Sequence, residues 1–220
     1  MSTFQSPLKT SVSLWSADLA NLESDVRRVE PYADAFHLDV ADGLYAPFLL
    51  FFPDLVAAIR KKTERPLDVH LITERPERWV PQFAEAGADT IIFYPDSTGN
   101  PREVIDMIRS RRLRVGLSLA VGNPMEMLDG YWERIDLVVV MGTAVGVKGV
   151  KTLAEGTLEK IRALVSRREE RRLTFEIQAD GAIRRDTVPL LREAGVDSIV
   201  PGSLLFAGDT AQCGSWLRSL

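Results

Sequence analysis

The chain predicts an α/β protein built as a (β/α)8 TIM barrel, and three observations carry that expectation. Short apolar runs alternate with amphipathic ones along all 220 residues. Eight of the apolar runs are rich in Val, Ile and Leu, as strands covered on both faces should be. No Pro- or Gly-rich linker divides the chain, so the expected unit is one barrel domain over residues 1–220. The competing doubly wound sheet calls for a Gly-rich phosphate turn after its first strand. Here the first strand runs into WSADLANL (15–22), which has no glycine.

TSVSLW (10–15) is the first expected strand, and ADLANLESDVRRV (17–29) follows as a helix capped by Ser16 or Asp18. AFHLDVA (35–41) and LDVHLI (67–72) are strands two and three. RPERWVPQFAEAG (75–87) reads as a helix stopping at Gly87, and TIIFYP (90–95) as strand four. VGLSLA (115–120) and LVVVMG (137–142) supply strands five and six. The helix GTLEKIRALVSRR (156–168) leads to strand seven, FEIQADG (175–181). DTVPLLREAG (186–195) is a helix closing at Gly195, and SIVPGS (198–203) is strand eight. EAGADTI (85–91) and EAGVDSI (193–199) repeat one logic of helix stop, turn and strand start.

Composition narrows the function. A net charge of −4 and a pI near 5.4 argue against a nucleic-acid partner, which calls for a basic face. RREERR (167–172) is interrupted by acidic residues and reads as a solvated helix end. The single cysteine, Cys213, cannot form an internal disulfide and suits a reducing compartment. MSTFQSPLKT lacks the apolar core of a secretion signal, and no apolar run approaches the roughly 18 residues of a membrane span. The expectation is a cytoplasmic protein without a membrane partner. Barrels of this kind often assemble, so a homo-oligomer is expected.

In such barrels the active site lies at the C-terminal ends of the strands. The chain has two histidines, His37 and His70, each two positions from an aspartate on a strand. Side chains alternate with period two, so His37 shares a face with Asp39, and His70 with Asp68. Asp180 ends the seventh strand, just before a glycine. Imidazole and carboxylate suit a divalent transition ion with a position left open for substrate. The plainer reading of a strand histidine is a hydrogen-bonded core residue. Two of them on adjacent strands, beside Asp39 and with Asp180 at a strand end, favour a site. A buried unpaired carboxylate is costly, and a cation supplies the missing partner. Asp68 is assigned a structural role low in the barrel.

The loops after strands seven and eight are the usual phosphate position in this fold, and ADGAI (179–183) and PGSLLF (201–206) stand there. GTAVGVKGVKT (142–152), after strand six, is long enough to fold over a ligand.

SVSLWSADLANL, FHLDVADGLYAP, LDVHLI, EAGADTI, TLEKIRAL, QADGAIRRDTV and AGVDSIVPGSLLF together resemble the ribulose-phosphate 3-epimerase family, in order and spacing, from about residue 9 to 207. The resemblance implies a barrel of the ribulose-phosphate-binding type that inverts a ketose phosphate at C3 with one divalent metal: zinc, iron, manganese or cobalt. It places the metal ligands on His37, Asp39, His70 and Asp180, and makes Asp39 and Asp180 acid/base catalysts as well. It places substrate and phosphate contacts on Ser13, Met141, Gly146, Gly181, Ala182, Gly202 and Ser203. The implied reaction is D-ribulose 5-phosphate to D-xylulose 5-phosphate. One aspartate removes the C3 proton, a metal-stabilised enediolate forms, and the other aspartate returns a proton to the opposite face.

The chain departs from the family pattern around the substrate. ADGLYAPF stands where MDGHFVPN is usual, so Leu44 and Phe48 replace polar residues; Ala41 and Ile72 replace pocket methionines, and Tyr94 a common histidine. AVGVKGV (144–150) replaces a loop that reads like NPGFGGQ, adding Lys148 as either a phosphate contact or an exposed lysine. Ala182 replaces a second glycine, and its N–H is expected to donate if its φ stays negative. These changes motivate an alternative: the same chemistry on another pentulose or hexulose phosphate. Related barrel decarboxylases and aldol enzymes carry Asp-x-Lys-x-x-Asp, where this chain has DVADGL with Ala41 at the lysine position. A catalytically silent homologue that only binds a sugar phosphate is the non-enzymatic alternative.

Overall fold

A computed structural model describes residues 7–220. Residues 1–6, which hold part of MSTFQSPLKT and the start of the expected 1–220 domain, lie outside the described residues. The parallel strands are β1 (Lys9–Ser13), β2 (Ala35–Asp42), β4 (Leu67–Ile72), β5 (Thr90–Phe93), β6 (Arg114–Leu119), β7 (Leu137–Met141), β8 (Glu176–Asp180) and β9 (Ser198–Val200). Each pairs with the next, and β9 pairs back to β1, closing the expected eight-stranded barrel. A two-residue strand, β3 (Leu49–Leu50), was not foreseen; it folds back antiparallel onto the end of β2, with Ala41 opposite Leu50.

The helices are α1 (Leu22–Val29), α2 (Pro53–Arg60), α3 (Val80–Glu85), α4 (Pro101–Ser110), α5 (Thr157–Arg171), α6 (Thr187–Ala194), α7 (Ser203–Phe206) and α8 (Thr210–Arg218). Three differ from expectation for local reasons. The helix expected over 17–29 starts only at Leu22, because a 3-10 turn occupies Leu14–Ser16 and the Asp18 carboxylate accepts from Ala20 N–H instead of capping a helix at 17. The segment 75–87 splits into a 3-10 turn at Pro76–Arg78 and α3, since Pro81 supplies no N–H for a continuous ladder. Between β6 and β7 there is no α-helix; two 3-10 turns, Met125–Leu128 and Trp132–Arg134, cover the strands with Leu128 and Trp132. The sequence reading did not single out α2 and α4. Both open with proline in the first turn, and Asn100 caps α4 by accepting from Glu103 N–H. Gly87 and Gly195 adopt φ of +96° and +103°, which L side chains avoid, and so end α3 and α6 where expected.

Alternation along the strands makes two cores. Phe36, Leu38 and Val40 of β2, with Val69 and Leu71 of β4, face outward into the layer beneath the helices. Ile92, Leu137, Val139 and Met141 fill a smaller apolar cluster inside the barrel with Ala41 and Ile72. Burying these side chains supplies the main driving force, at roughly 25 cal/mol per Å² of apolar surface. Low in the barrel, Ser11 donates to Asp68 at 2.7 Å, which gives Asp68 the structural role expected of it. Arg168, the first basic residue of the RREERR cluster to face the barrel, caps the Phe175 carbonyl at 3.0 Å, while Arg171 and Arg172 are exposed.

The repeat EAGADTI/EAGVDSI marks a device used four times at the barrel floor. Asp34, Asp89, Asp136 and Asp197 each precede a strand and accept from a backbone N–H of the preceding strand: Thr10 (2.8 Å), Leu67 (2.9 Å), Val115 (2.8 Å) and Ile177 (2.7 Å). Each aspartate N–H donates back to the carbonyl of that same residue. An arginine closes every clamp: Arg218, Arg60, Arg109 and Arg168 in the same order. Every second strand joint is thereby fixed in register. Among the described residues, no helix is long and apolar enough to cross a membrane.

Asp197→Ala leaves the Ile177 N–H without its carboxylate acceptor and is expected to destabilise the barrel by about 1–3 kcal/mol. Asp197→Asn, which keeps an acceptor, is expected to lose less. Urea unfolding midpoints of the two variants check this, and an alanine variant as stable as the parent would remove the clamp from the account.

Candidate metal centre and substrate cavity

The register of β2 against β4 sets the site. Asp39 pairs with His70 and His37 with Asp68, so His37, Asp39 and His70 all point into the lumen while their neighbours pack outward. Asp180 enters from the end of β8, beside Met141 of β7. One ligand atom from each of His37, Asp39, His70 and Asp180 lies within 4.8 Å of all the others. His37 Nε2 is 3.2 Å from His70 Nδ1, 3.3 Å from Asp39 Oδ1 and 3.7 Å from Asp180 Oδ2. His70 Nδ1 is 3.5 Å from Asp39 Oδ1 and 3.8 Å from Asp180 Oδ2.

These spacings fit a metal. Four ligands at about 2.0–2.2 Å around a tetrahedral ion stand roughly 3.3–3.6 Å apart. Both imidazoles are fully buried, and with both neutral the two carboxylates carry a double negative charge that a divalent cation cancels. The outer nitrogens, His37 Nδ1 and His70 Nε2, have no hydrogen-bond partner, so the inner nitrogens are the ones engaged by the cluster. Tyr94, fully buried, stacks on His70 with ring centroids 5.2 Å apart and steadies its ring from behind.

Burial and neighbours separate the charges. Burial disfavours protonation of His37, but the carboxylates around it, Asp39 foremost, raise its pKa to about 9. Burial opposes ionisation of Asp39 too, yet the two imidazoles hold its carboxyl well below the usual range. Asp180 is pushed up to about 7, by burial first and then by the Asp39 charge. Burial, and after it the His37 charge, hold His70 in its neutral form.

Above the cluster lies a cavity of about 320 Å³. Its lining includes Ser13, Asp39, Met141, Gly146, Asp180, Gly181, Ala182, Gly202 and Ser203, so every residue expected to touch substrate or phosphate faces one space. His37 and His70 lie beneath it. Ser13 Oγ donates to Asp39 Oδ2 at 3.2 Å. Ala182 differs from expectation: its φ is +54°, because the turn between Gly181 and Ile183 imposes a left-handed backbone. Thr187 Oγ1 donates to the Ala182 carbonyl at 2.6 Å and holds that strained turn.

Three loops meet across the mouth. Trp15, just after β1, and Phe48, from the β2 loop, stack with centroids 5.0 Å apart and planes 6° from parallel. Gly146 of the 142–152 loop packs on Phe48 so closely that a Cβ would lie 2.6 Å from the ring. Lys148 Nζ donates to the Trp15 carbonyl at 2.7 Å and sits 4.8 Å above the indole. The long loop therefore lies against the cavity, whose lining includes Gly146, Val147 and Lys148. The sequence reading missed Trp15 and Arg184, which also line the cavity. Their positions directly after strand one and three residues past the Asp180–Gly181 turn were the available signals.

Comparison with known proteins agrees with this geometry. Residues 9–206 match the Ribulose-phosphate 3 epimerase family. The ribulose-phosphate 3-epimerase of Bacillus subtilis (strain 168) is 33% identical over 201 residues, covering 90% of this chain and 92% of that protein. That of Treponema pallidum (strain Nichols) is 38% identical over 197 residues, covering 89% and 90%. Among solved structures, 3-keto-L-gulonate-6-phosphate decarboxylase from Vibrio cholerae O1 biovar El Tor superposes with a TM-score of 0.71 at 15% identity, over 97% of this chain and 96% of that one. That distant likeness bears on the barrel alone. The sequence match spans the strands that carry all four cluster residues and the turns at Gly181 and Gly202, so the chain belongs to the ribulose-phosphate 3-epimerase family.

Proposed function

We propose that this protein is a metal-dependent 3-epimerase of a ketose phosphate, with D-ribulose 5-phosphate and D-xylulose 5-phosphate as its substrate pair. The observation that carries the reading is the meeting of Asp39 and Asp180, from strands separated by β1 and β9, in one buried cluster under a cavity. Inversion needs a base on one face of the substrate carbon and an acid on the other, and two carboxyl groups on different walls supply both.

His37, Asp39, His70 and Asp180 would hold the ion. A divalent metal bound there supplies Lewis-acid stabilisation of the negative charge that develops on the sugar oxygens. The chain's own groups handle the proton. Asp39, held ionised by its imidazole neighbours, accepts it at a carboxylate oxygen, and Ser13 Oγ orients that carboxylate through its second oxygen. Asp180 stands on the other wall, where burial and the Asp39 charge favour its protonated form, and is assigned to return a proton to the opposite face. In the reverse direction the two exchange roles. Trp15, Phe48 and the 142–152 loop exclude water from the cavity while the sugar is reactive.

Gly181, Gly202 and Ser203, which share the cavity lining, are assigned to the phosphate through their peptide N–H groups; Ala182 lines the same space but, at φ +54°, fails the negative-φ condition set for its N–H to donate. The same reading takes residues 1–220 as one working barrel in a cytoplasmic homo-oligomer. Exposed Leu49 of β3, with Leu44 before it and Phe52 after it, supports assembly, and the buried, unpaired Cys213 fits a reducing setting. Substitution at Phe48, now part of the stack over the mouth, is the feature that favours a longer or shorter ketose phosphate as an alternative substrate.

Asp39→Asn and Asp180→Asn are each expected to lower turnover by at least about a hundredfold, the smallest loss typical for a general acid or base. Exchange of the C3 proton with solvent deuterium measures it, and ordinary activity in either variant would refute the two-carboxylate mechanism. A panel of pentulose and hexulose phosphates in the same assay decides the substrate; D-ribulose 5-phosphate is expected to turn over fastest. His70→Ala is expected to empty the metal site, read by elemental analysis of the purified protein. A variant that retains one ion per chain would remove His70 from the ligand set.

A further inference from the structure

Two cations line the same cavity as the acidic cluster, and neither is paired with a carboxylate. Arg184, half-buried, spends one guanidinium N–H on the neighbouring Ile183 carbonyl at 2.8 Å. Lys148 spends one ammonium proton on the Trp15 carbonyl. Each therefore keeps donors free, since guanidinium has five and ammonium three. The adjacent Arg185 differs: it is exposed and lies 4.8 Å over the Trp216 ring. One cavity thus holds both signs of charge: the buried Asp39 and Asp180, and the cations Arg184 and Lys148, with the Gly181 and Gly202 turns in the same lining. A phosphate monoester carries a charge of about −1.5 to −2 near neutrality, which two cations match.

Resting on the ketose-phosphate reading above, we infer that Arg184 and Lys148 form a side-chain clamp for the substrate's phosphate, so that the dianion is selected by charge as well as by peptide N–H groups. Arg184 approaches from the β8 loop and Lys148 from the loop folded over the mouth. Phosphate capture by Lys148 draws its ammonium away from the Trp15 ring, so binding exchanges one contact of the folded 142–152 loop for another. Ala182, with a side chain and a strained φ where a more permissive residue would bring the backbone closer, leaves work for these cations.

Titration calorimetry with inorganic phosphate tests the clamp on the metal-loaded protein. Arg184→Gln and Lys148→Gln are each expected to weaken phosphate binding about tenfold, as loss of a charge-assisted hydrogen bond does. Arg184→Lys is expected to recover part of that loss and Arg185→Gln to show none. Phosphate is expected to change tryptophan emission in the parent, and less so in Lys148→Gln or Trp15→Phe. With the sugar phosphate, KM is expected to rise in parallel with the phosphate dissociation constant while kcat changes less than about twofold, the signature of uniform binding. Phosphate binding within about twofold of the parent in both glutamine variants overturns the clamp. So does an active parent that binds no phosphate. Phosphate binding that depends on both cations, in a protein that exchanges no C3 proton, upholds the clamp and instead overturns the assigned reaction.

Discussion

Two carboxylates and two imidazoles crowd within 4.8 Å of one another in the barrel lumen, and the rest of the architecture follows from tolerating that crowding. Isolated buried charges are prohibitive, so each group must be neutralised by a neighbour, a proton or a cation. Protein groups alone manage it by protonating His37 and raising Asp180, which leaves the cluster balanced but poised to exchange protons for a metal. The cluster is held by strand backbone rather than by loops: three of its members sit on the paired β2 and β4.

That spacing depends on register, and register is fixed from below. In a strand, a slip of one residue would turn His37 and Asp39 outward and bring Leu38 into the lumen. The four aspartate clamps at the floor oppose such a slip, because each aspartate both donates to and accepts from the same residue of the neighbouring strand. Stability and chemistry therefore occupy opposite ends of the same strands. The lower end locks alignment with exposed aspartate–arginine pairs, and the upper end uses that alignment to bring acids and bases together.

The sequence exposed most of this arrangement because period-two patterning is local. His37 with Asp39, and Asp180 before Gly181, could be placed on inward faces without knowing which strands adjoin. Convergence was harder to see: β8 and β4 are neighbours of neither each other nor a common strand, and their meeting is a property of closure. The 3-10 turns replacing a helix after β6 had no periodic signature, and α2 was hidden by its short length and partly polar face. Trp15 escaped notice because an aromatic at a strand end reads equally as core. Only the folded chain sets it against Phe48 and Lys148, residues that lie 33 and 133 positions away.

The loops over the mouth pack as one unit. Phe48, Gly146 and Lys148 bear on one another and on Trp15, and Phe48 also packs on the apolar cluster inside the lumen, while Asp39 and His70 bear on strand partners. The contacts among the loops are interdependent: Gly146 has no room for a side chain because Phe48 is there, and Lys148 reaches Trp15 only with the loop folded over that stack. A substitution at position 48 is therefore felt by the 142–152 loop, by Trp15 and by the lumen cluster together. Repacking at Phe48 reaches both the loops and the lumen, whereas the spacing of the four-residue cluster is set by the strands beneath.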